Sequence, residues 1–442
     1  MVYKKMMTTA LLTASIINGL SAAADDDANA HWAHWRGPTA NGQAAASASP
    51  VLTWDTTKNV GWVTELPGEG TSTPIVWGHR VFLLAAEKTN RPAPGPVVQR
   101  ETSKTIAPDV FYRFLVICLD RHSGQVLWQR TAIEAVPHEG HHPTHTYAGS
   151  SPTTDGKRVY VSFGSRGLFC YTLDGDLVWT RDLGDMQTRY GWGEAVTPVI
   201  AGDSLIVNWD QEEGSFITSL DAATGTPNWT TAREQEVTSW NTPLVTPVDD
   251  RTIIVANGTH LVRGYDAATG QQLWSCGGQT VNAIPSPVRF EDSVIVMSGY
   301  RGALAVSLPL SSAGQVTPAA ATWSLTRGTP YVPSPLLSGD RLYFTAGNGN
   351  VLSVVNARTG APLTTPTRLS ALRSLYASPV ATQNHIYVLD RQGTCAVLTN
   401  AAEPEVVAVN KLNDATDASP VIVEDQLFIR SWTKLYCLQA DK

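Results

Sequence analysis

Short runs of alternating apolar and polar residues fill most of the chain, and turns rich in Gly, Asp and Asn separate them. The segment Arg341-Leu-Tyr-Phe-Thr345, which follows the turn Gly339-Asp340, is typical of these runs. A period of about two predicts β-strands, whereas the period of 3.6 that marks amphipathic helices is nearly absent. The pattern therefore predicts an all-β protein.

A Ser/Thr-Pro or Ser/Thr-x-Pro step opens each unit of this pattern. Its prolines are Pro74, Pro152, Pro198, Pro243, Pro287, Pro335, Pro379 and Pro420. Successive prolines lie 41 to 48 residues apart, except for a first interval of 78 residues. Each period has room for four short strands, which is typical of propeller blades. The sequence therefore predicts an eight-bladed β-propeller of four-stranded antiparallel blades.

A second element connects the third and fourth strands of most units. It reads Asp, three residues, Gly and then Trp, with complete copies that begin at Asp120, Asp221 and Asp266. The Asp side chain closes such a turn onto backbone amides, and Gly supplies the positive φ. We expect the Trp to dock as a large apolar wedge between neighbouring sheets. The docking tryptophans predicted in this way are Trp62, Trp128, Trp179, Trp229, Trp274 and Trp323.

The eighth unit contains only three strands before the chain ends. The segment Lys58 to Leu66 has the pattern of the missing fourth strand, with Trp62 in the docking position. We expect this segment to complete the last blade beside Lys434 to Leu438. The ring would then close without a free sheet edge between the first and last blades.

The N-terminal residues have the features of an export signal. Two lysines, Lys4 and Lys5, precede an apolar stretch at residues 10–20 and the small residues Ala22-Ala23-Ala24. We predict a signal peptide at residues 1–24, an N-terminal extension at 25–49 and the propeller at 50–442, in a protein exported to the periplasm or outside the cell. The apolar stretch is too short to span a membrane, and no Cys follows it, so neither membrane insertion nor a lipid anchor is expected.

The amino-acid composition narrows the class of protein further. Hydrophobic residues make up 43% of the chain and charged residues 16%, which suits a large core and excludes a disordered chain. Loss of residues 1–24 removes two lysines and no acid, so the formal charge changes from −7 to −9. Such a charge disfavours nucleic acid and anionic membranes as partners. The five cysteines are Cys118, Cys170, Cys276, Cys395 and Cys437, and we predict small buried hydrophobic side chains rather than a disulfide framework.

Two insertions fall on one face of the predicted propeller. Residues 88–110 lengthen the second-to-third strand connection of blade 1, and residues 137–147, the His loop, lengthen the connection between blades 1 and 2. The His loop contains His138, Glu139, His141, His142 and His145. This cluster contains enough imidazole groups to ligate Zn²⁺, Cu²⁺ or Ni²⁺, and a polar loop whose histidines bond to backbone or carboxylate groups explains it as well. Both interpretations stay open, and the spacing matches no metal motif.

The residues just before each first strand, together with the second-to-third strand turns, are predicted to line the channel mouth on this face. The candidates for ligand binding are His145, Tyr147, Trp192, Glu194, Trp240, Asn282, Arg301, Tyr331, Tyr376 and Asp417. Aromatic, acidic, amide and cationic side chains together suit a polar ligand pocket. A water-filled channel also has a polar rim, so the sequence does not decide between the two.

The Asp-x-x-Thr-Gly-x-x-x-Trp element resembles the pyrroloquinoline-quinone (PQQ) repeat, or tryptophan-docking motif. The resemblance covers about residues 31–440, and the opening Trp32-Ala-His-Trp35-Arg-Gly-Pro38 and residues 138–171 are similar to secreted PQQ-like propellers. Proteins of this family include eight-bladed quinoprotein alcohol dehydrogenases and the lipoprotein B of the outer-membrane β-barrel assembly machinery. The resemblance implies the fold, but one propeller hosts unrelated activities.

Three functions follow as expectations. The first is a non-catalytic, monomeric binding or scaffold protein that holds a protein, peptide or polysaccharide partner on the His-loop face. The second, implied by the resemblance, is a PQQ- and Ca²⁺-dependent dehydrogenase of alcohols or sugars, for which Glu194, Asn282, Asp417, Arg301 and Trp240 offer the base, cation ligands, clamp and stacking surface. The adjacent-cysteine ring of many such enzymes and their longer inter-blade connections are missing, which favours the first. The third is a metal-assisted enzyme built on His138 to His145.

Overall fold

The computed structural model describes residues 31–95 and 104–441, and these residues form eight antiparallel sheets arranged as a propeller. The predicted all-β class and blade number are confirmed. Within the described ranges there is no α-helix, only three short 3₁₀ turns, Gly164–Arg166, Arg189–Gly191 and Pro318–Ala320. None of these elements is long and apolar enough to cross a membrane. The predicted signal peptide at 1–24 lies outside the described residues.

The strands of each blade follow one another from the channel outward. Blade 1 contains Ile75–Trp77, Arg80–Pro92, Val110–Asp120 and Val126–Ala135; blade 2 contains Thr153–Thr154, Arg158–Ser162, Leu168–Thr172 and Leu177–Arg181; blade 3 contains Val199–Ala201, Ser204–Trp209, Phe216–Asp221 and Pro227–Ala232; blade 4 contains Leu244–Val248, Arg251–Ala256, Val262–Asp266 and Gln272–Cys276, with Gly314–Val316 added in parallel at its outer edge.

The other four blades continue the series. Blade 5 contains Val288–Phe290, Ser293–Ser298, Leu304–Pro309 and Trp323–Leu325; blade 6 contains Leu336–Ser338, Arg341–Thr345, Val351–Asn356 and Thr367–Arg368; blade 7 contains Val380–Ala381, His385–Leu389, Thr394–Thr399 and Val406–Lys411; blade 8 contains Val421–Val423, Gln426–Arg430, Lys434–Leu438 and, from the N-terminal part of the chain, Val60–Glu65.

Burial explains why the inner and outer strands have different patterns of apolar and polar residues. All five residues of Gln426–Arg430 are buried, because neighbouring blades cover both faces of a second strand. In Val60–Glu65, a fourth strand, buried and exposed residues alternate. Continuous apolar runs therefore mark the middle of a blade, and alternation marks its outer edge. All five cysteines are free and buried in these layers, as predicted.

The N-terminal closure strand pairs with the final strand of the chain. Trp62 lies opposite Cys437, and Glu65 lies opposite Lys434, in an antiparallel register. The segment thus lies beside Lys434–Leu438. The first and last parts of the propeller therefore share blade 8.

Hydrogen bonds between the Ser/Thr-Pro steps run around most of the channel, and we call them the hydroxyl belt. They connect blades 5, 6, 7, 8, 1, 2 and 3 in that order. In each contact, a Ser or Thr backbone N–H in one blade donates to the hydroxyl of the equivalent residue in the next blade. The pairs are Thr73 to Ser151 (2.9 Å), Ser151 to Thr197 (3.0 Å), Ser286 to Ser334 (2.9 Å), Ser334 to Ser378 (2.9 Å), Ser378 to Ser419 (3.0 Å) and Ser419 to Thr73 (3.1 Å). The belt satisfies buried amides that start the innermost strands, which explains why a hydroxyl residue precedes the proline.

Five of the predicted tryptophans dock onto the following blade. Their rings cover the turn glycine there, and their indole N–H groups donate to a backbone carbonyl at 2.9 to 3.1 Å. The pairs of ring and glycine are Trp62 and Gly124, Trp128 and Gly175, Trp179 and Gly225, Trp229 and Gly270, and Trp323 and Gly360. A Cβ on any of these glycines would overlap the indole, so the turn needs Gly for space as well as for φ.

Trp274 is the exception among the six. It is fully buried between blades 4 and 5, as expected for a docking tryptophan. Its indole N–H, however, has no hydrogen-bond partner in the described structure, and its ring lies against Gly264 of its own blade. The reason is that blade 5 lacks the Asp-x-x-x-Gly turn on which the ring would dock.

Residues 31–49, predicted as an extension ahead of the propeller, lie across its channel, and we call them the channel plug. His31–Trp32 pairs with the first strand of blade 1. The carbonyl of Ala33 accepts from Thr154 in blade 2, and the carbonyl of Asn41 accepts from Leu337 in blade 6, both at 3.2 Å. Blades 2 and 6 are opposite each other in a ring of eight, so the plug crosses the axis. It does so near the ends of the first strands, on the face away from the His loop.

Arg36 anchors the plug. Its side chain is only 1% exposed, and its guanidinium donates to the carbonyls of Pro379 (3.0 Å), Pro335 (2.7 Å) and Asn41 (3.2 Å). Burial lowers the pKa of Arg36 to about 9. Pro335 and Pro379 belong to the repeated steps of blades 6 and 7, so the anchor ties the plug directly to the inner wall of the channel.

Candidate functional site

A cavity of about 600 Å³ opens at the channel mouth on the face of the His loop, and we call it the mouth cavity. The predicted rim residues that line it are His145, Trp192, Trp240, Arg301, Tyr331, Tyr376 and Asp417; further lining residues include Thr71, Lys104, His142, Thr144, Tyr190 and Tyr300. Loops from most of the blades converge here because inter-blade connections and second-to-third strand turns emerge on the same face.

The two predicted insertions contact each other and build one wall of the site. Ile106 and His141 exchange backbone hydrogen bonds of 2.8 and 3.0 Å. The hydroxyl of Thr105 donates to the carbonyl of Tyr190 at 2.8 Å. The insertion in blade 1 thus holds the His loop and the loop before blade 3 in position beside the cavity.

Aromatic rings form two platforms in the mouth cavity. Trp192 and Trp240 lie nearly parallel, with ring centroids 6.4 Å apart and planes at 23°. Tyr300 and Tyr331 stack at 4.7 Å and 25°. The indole N–H of Trp240 donates to the carbonyl of Gly193 at 2.8 Å, which fixes its ring. Rigid platforms of this kind bind flat or ring-shaped groups at little cost in conformational entropy.

The acidic group at the cavity is neutralised by its neighbours. Asp417 accepts two hydrogen bonds from Arg391, at 2.6 and 3.2 Å, and a third from the indole N–H of Trp432 at 2.8 Å. The guanidinium of Arg391 also lies 4.2 Å from the ring centre of Tyr376. This arrangement positions Tyr376 and leaves the Asp417 carboxylate with little capacity for a further cation.

A short chain of hydrogen bonds connects blade 7 to the His loop. The hydroxyls of Tyr376 and Thr144 lie 3.2 Å apart, and the Thr144 hydroxyl lies 2.7 Å from Nδ1 of His142. The backbone N–H of Thr144 also donates to that Nδ1, so in neutral His142 the proton sits on Nε2. Burial lowers the pKa of His142, which favours this neutral form.

The four histidines proposed as metal ligands bond in different directions. Nε2 of His145 donates to the carbonyl of Glu194 at 3.0 Å, and burial lowers the pKa of His145 to about 4. Nδ1 of His141 donates to the carbonyl of His142 at 2.8 Å, while His138 lies 3.3 Å from Asp185. Across residues 31–95 and 104–441, no group of three or more His, Cys, Asp or Glu side chains is placed to hold a metal ion. The structure thus does not bring His138, His141, His142 and His145 together around one point.

Two of the rim candidates, Glu194 and Tyr147, lie outside the mouth cavity. They line a separate cavity of about 20 Å³. The Glu194 carboxylate accepts hydrogen bonds from the backbone N–H and hydroxyl of Ser165, at 2.5 and 2.6 Å. Burial raises the pKa of Glu194 to about 8, although the bonds from Ser165 oppose this change. Gly193, at φ +101°, turns the backbone so that Trp192 faces the mouth cavity and Glu194 does not.

Asn282, a third rim candidate, is also outside the mouth cavity. It is 1% exposed, and its Oδ1 accepts a hydrogen bond from Arg189 at 3.3 Å. Its backbone has a positive φ of 58°, which directs the side chain into the protein. Sequence position alone placed Asn282 at the rim, but the local backbone conformation buries it.

The residues present do not fit a PQQ and Ca²⁺ site of the dehydrogenase type. Ca²⁺ requires six to eight oxygen ligands, usually with several carboxylates. Of the three proposed ligands, Glu194 and Asn282 lie outside the mouth cavity, and Asp417 is paired with Arg391. The described lining has no other carboxylate, while Lys104 and Arg301 make it basic.

Among the lining residues that sequence reasoning missed are the polar side chains of Thr71, Lys104, Thr144 and Tyr190. Lys104 and Thr144 lie within the two insertions that the repeat spacing had identified. Tyr190 has a positive φ of 60° in the loop before blade 3. For Lys104 and Thr144 the excess loop length was the only signal, since it located the segments but not the side chains.

The fold and the geometry of the mouth together define an eight-bladed propeller of the PQQ-repeat class. A family model described as "Outer membrane protein assembly factor BamB" matches residues 113–319 and 316–442. The chain therefore belongs to this family, and the predicted relationship is confirmed.

Solved structures support the same fold. BamB from Moraxella catarrhalis superposes with a TM-score of 0.54 at 15% identity, over 81% of this chain and 97% of that one. The quinohemoprotein alcohol dehydrogenase ADHIIG from Pseudomonas putida HK5 superposes with a TM-score of 0.57 at 10% identity, over 93% of this chain and 80% of that one. A comparison with the curated proteins finds no match. At these identities the likenesses show the fold, and the function has to be argued from the site.

Proposed function

We propose that this protein is a non-catalytic binding protein that holds its partner in the mouth cavity. The observation that supports this proposal most is the convergence of seven predicted rim residues on one cavity of about 600 Å³. This volume is within the range of about 300 to 1,000 Å³ typical of ligand pockets. The channel plug obstructs the opposite end, so the occupant enters and leaves on the His-loop face.

The chemistry of the described lining favours binding over catalysis. The Asp417 carboxylate is engaged by Arg391 and Trp432, and burial lowers the pKa values of His142 and His145. The described lining of the mouth cavity thus offers platforms and hydrogen-bonding groups, but no carboxylate that is free to act as a base. We also propose that the chain is exported with removal of residues 1–24, which mass spectrometry of the mature N-terminus would test.

The test of function is a binding screen by isothermal titration calorimetry with defined oligosaccharides and peptides. We expect at least one probe to bind the wild type and to lose affinity tenfold or more in Trp240→Ala. The control is Leu177→Ala, which removes a side chain 56% exposed on the outer edge of blade 2 and should bind normally. Circular dichroism verifies that each variant is folded.

Two results would contradict the proposal. One is ligand affinity that is unchanged by Trp240→Ala. The other is stoichiometric binding of PQQ in the presence of Ca²⁺, together with oxidation of an alcohol or aldose, which would establish the dehydrogenase alternative.

A further inference from the structure

Two basic side chains face the mouth cavity without an acidic partner in the described structure. Lys104 comes from the insertion in blade 1, and Arg301 comes from the second-to-third strand turn of blade 5. Both are exposed, and the ion pairs of the described residues include neither. Blades 1 and 5 are opposite each other in the ring, so one basic side chain lies on each side of the mouth cavity.

This local charge contrasts with the charge of the whole protein. The chain has a formal charge of −7, yet Asp417 is the only carboxylate in the described lining and is already paired with Arg391. A concave site of one sign concentrates ligands of the opposite sign, because its low-dielectric walls focus the field. The charge of the described lining therefore favours an anionic occupant even though the protein is acidic overall.

Arg301 combines an unusual backbone conformation with an aromatic neighbour. Its φ of 52° is in the left-handed region, which costs a non-glycine residue conformational energy and is common at ligand clamps. The guanidinium lies 5.3 Å from the ring centre of Tyr300, which in turn stacks on Tyr331. Arg301 thus presents a fork of N–H donors beside the Tyr300 ring, and this fork suits a carboxylate or sulfate.

The platforms and hydroxyls indicate what carries the anionic group. Trp192 precedes blade 3 and Tyr376 precedes blade 7, so aromatic faces meet the occupant from opposite sides of the ring. Hydroxyls of Thr71 and Thr144 lie on the same lining. A pyranose ring has C–H groups on its faces and hydroxyls around its edge, which matches aromatic platforms bordered by hydrogen-bonding groups.

We propose that the mouth cavity binds an acidic saccharide, with sugar rings on Trp192 and Trp240 and a carboxylate or sulfate at Arg301. This inference rests on the proposed binding function and names its ligand class. The cavity volume of about 600 Å³ suits a short oligosaccharide or the end of a longer chain.

The experiment is calorimetric titration of the full chain with four probes. They are a galacturonic acid trisaccharide, a heparin-derived tetrasaccharide, a neutral galactose trisaccharide and a hexaglutamate peptide. We expect at least one acidic saccharide to bind tenfold or more tightly than the neutral one, and its affinity to fall as salt is raised. Binding of the galacturonic acid probe would show that a carboxylate is sufficient, whereas binding of the heparin-derived probe alone would show that sulfate is required.

Single substitutions identify the side chains that contact each saccharide. Arg301→Met should weaken the acidic saccharide tenfold or more and leave the neutral one unaffected. Arg251→Met, an exposed arginine at a first-to-second strand turn on the opposite face, is the matched control and should change neither. Trp240→Ala should weaken both saccharides, because it removes a platform rather than a charge.

The outcomes separate this inference from the proposed function. Equal affinity for neutral and acidic saccharides, no effect of Arg301→Met, or binding of the peptide alone would overturn the saccharide inference, and so would the lack of binding by both acidic probes. If Trp240→Ala still weakens whichever probe binds, the mouth cavity remains a binding site. If a probe binds and Trp240→Ala has no effect, the proposed function fails as well.

Discussion

Ser378 provides the sharpest test of how the ring of blades is held together. Its hydroxyl accepts the backbone N–H of Ser334 at 2.9 Å in the hydroxyl belt, and the two residues are 2% and 1% exposed. Ser378→Ala removes the acceptor but almost no volume, so the Ser334 amide is left buried without its partner. An unsatisfied buried donor costs about 1 to 3 kcal/mol. We expect the free energy of unfolding to fall by about that amount.

Two measurements check this expectation. Urea denaturation followed by circular dichroism should give a lower midpoint for Ser378→Ala, and hydrogen exchange should accelerate at the Ser334 amide. The matched control is Ser324→Ala, which removes an exposed hydroxyl on the outer strand of blade 5. Such a surface substitution changes the free energy of unfolding by no more than about 0.5 kcal/mol.

A specific result would refute the reasoning. If Ser378→Ala unfolds at the same urea concentration as Ser324→Ala and the Ser334 amide exchanges at the wild-type rate, the belt does not hold the blades together. The Ser/Thr-Pro repeat would then need a different explanation.

Three further predictions concern the plug, a buried acid and the docking turns. Arg36→Met should leave the Pro335 and Pro379 carbonyls unpaired, which lowers the free energy of unfolding by about 1 to 3 kcal/mol for each buried group. It should also expose Trp32 and Trp35 to limited chymotrypsin digestion, and a wild-type digestion pattern would contradict the anchoring role. The pKa of Glu194 is raised from 4.5 to about 8, so its protonated form stabilises the folded state below pH 4.5 and this contribution is lost as the pH rises to about 8. Glu194→Gln should therefore flatten the loss of unfolding free energy over that interval, and an identical pH profile for the two proteins would contradict it. Gly175→Ala places a Cβ 2.6 Å from the Trp128 ring, whereas the Cβ of Gly202→Ala, at a φ of the same sign, has no atom of the described structure within 4 Å. Thermal melting should therefore show Gly175→Ala to be less stable than Gly202→Ala by about 1 kcal/mol or more, and equal melting temperatures would argue against docking.

The repeat-level predictions succeeded because they rest on local chemistry. Alternation of residues such as those in Arg341–Thr345, together with Asp and Gly at fixed offsets, determines a strand and its turn without distant partners. Counting these units is enough to give the number of blades. The position of Val60–Glu65 follows for the same reason, since its pattern supplies the one strand that blade 8 lacks.

The site was predicted only in part, because the direction of a side chain depends on backbone dihedrals that the pattern does not encode. Trp192 and Glu194 were equal candidates in sequence, but the positive φ of Gly193 sends one into the mouth cavity and the other toward Ser165. The docking of Trp274 required a turn in blade 5, which is a property of the neighbouring unit rather than of its own.

The sequence by itself determined the blade count, the order of the strands and the face on which the long loops emerge. The tertiary structure decided that residues 31–49 cross the channel, because Arg36 finds its acceptors at Pro335 and Pro379, about three hundred residues further along the chain. It also decided which rim side chains share one cavity and that its charge is basic. Short-range periodicity specifies a repeat, but contacts between distant residues exist only once the ring has closed around them.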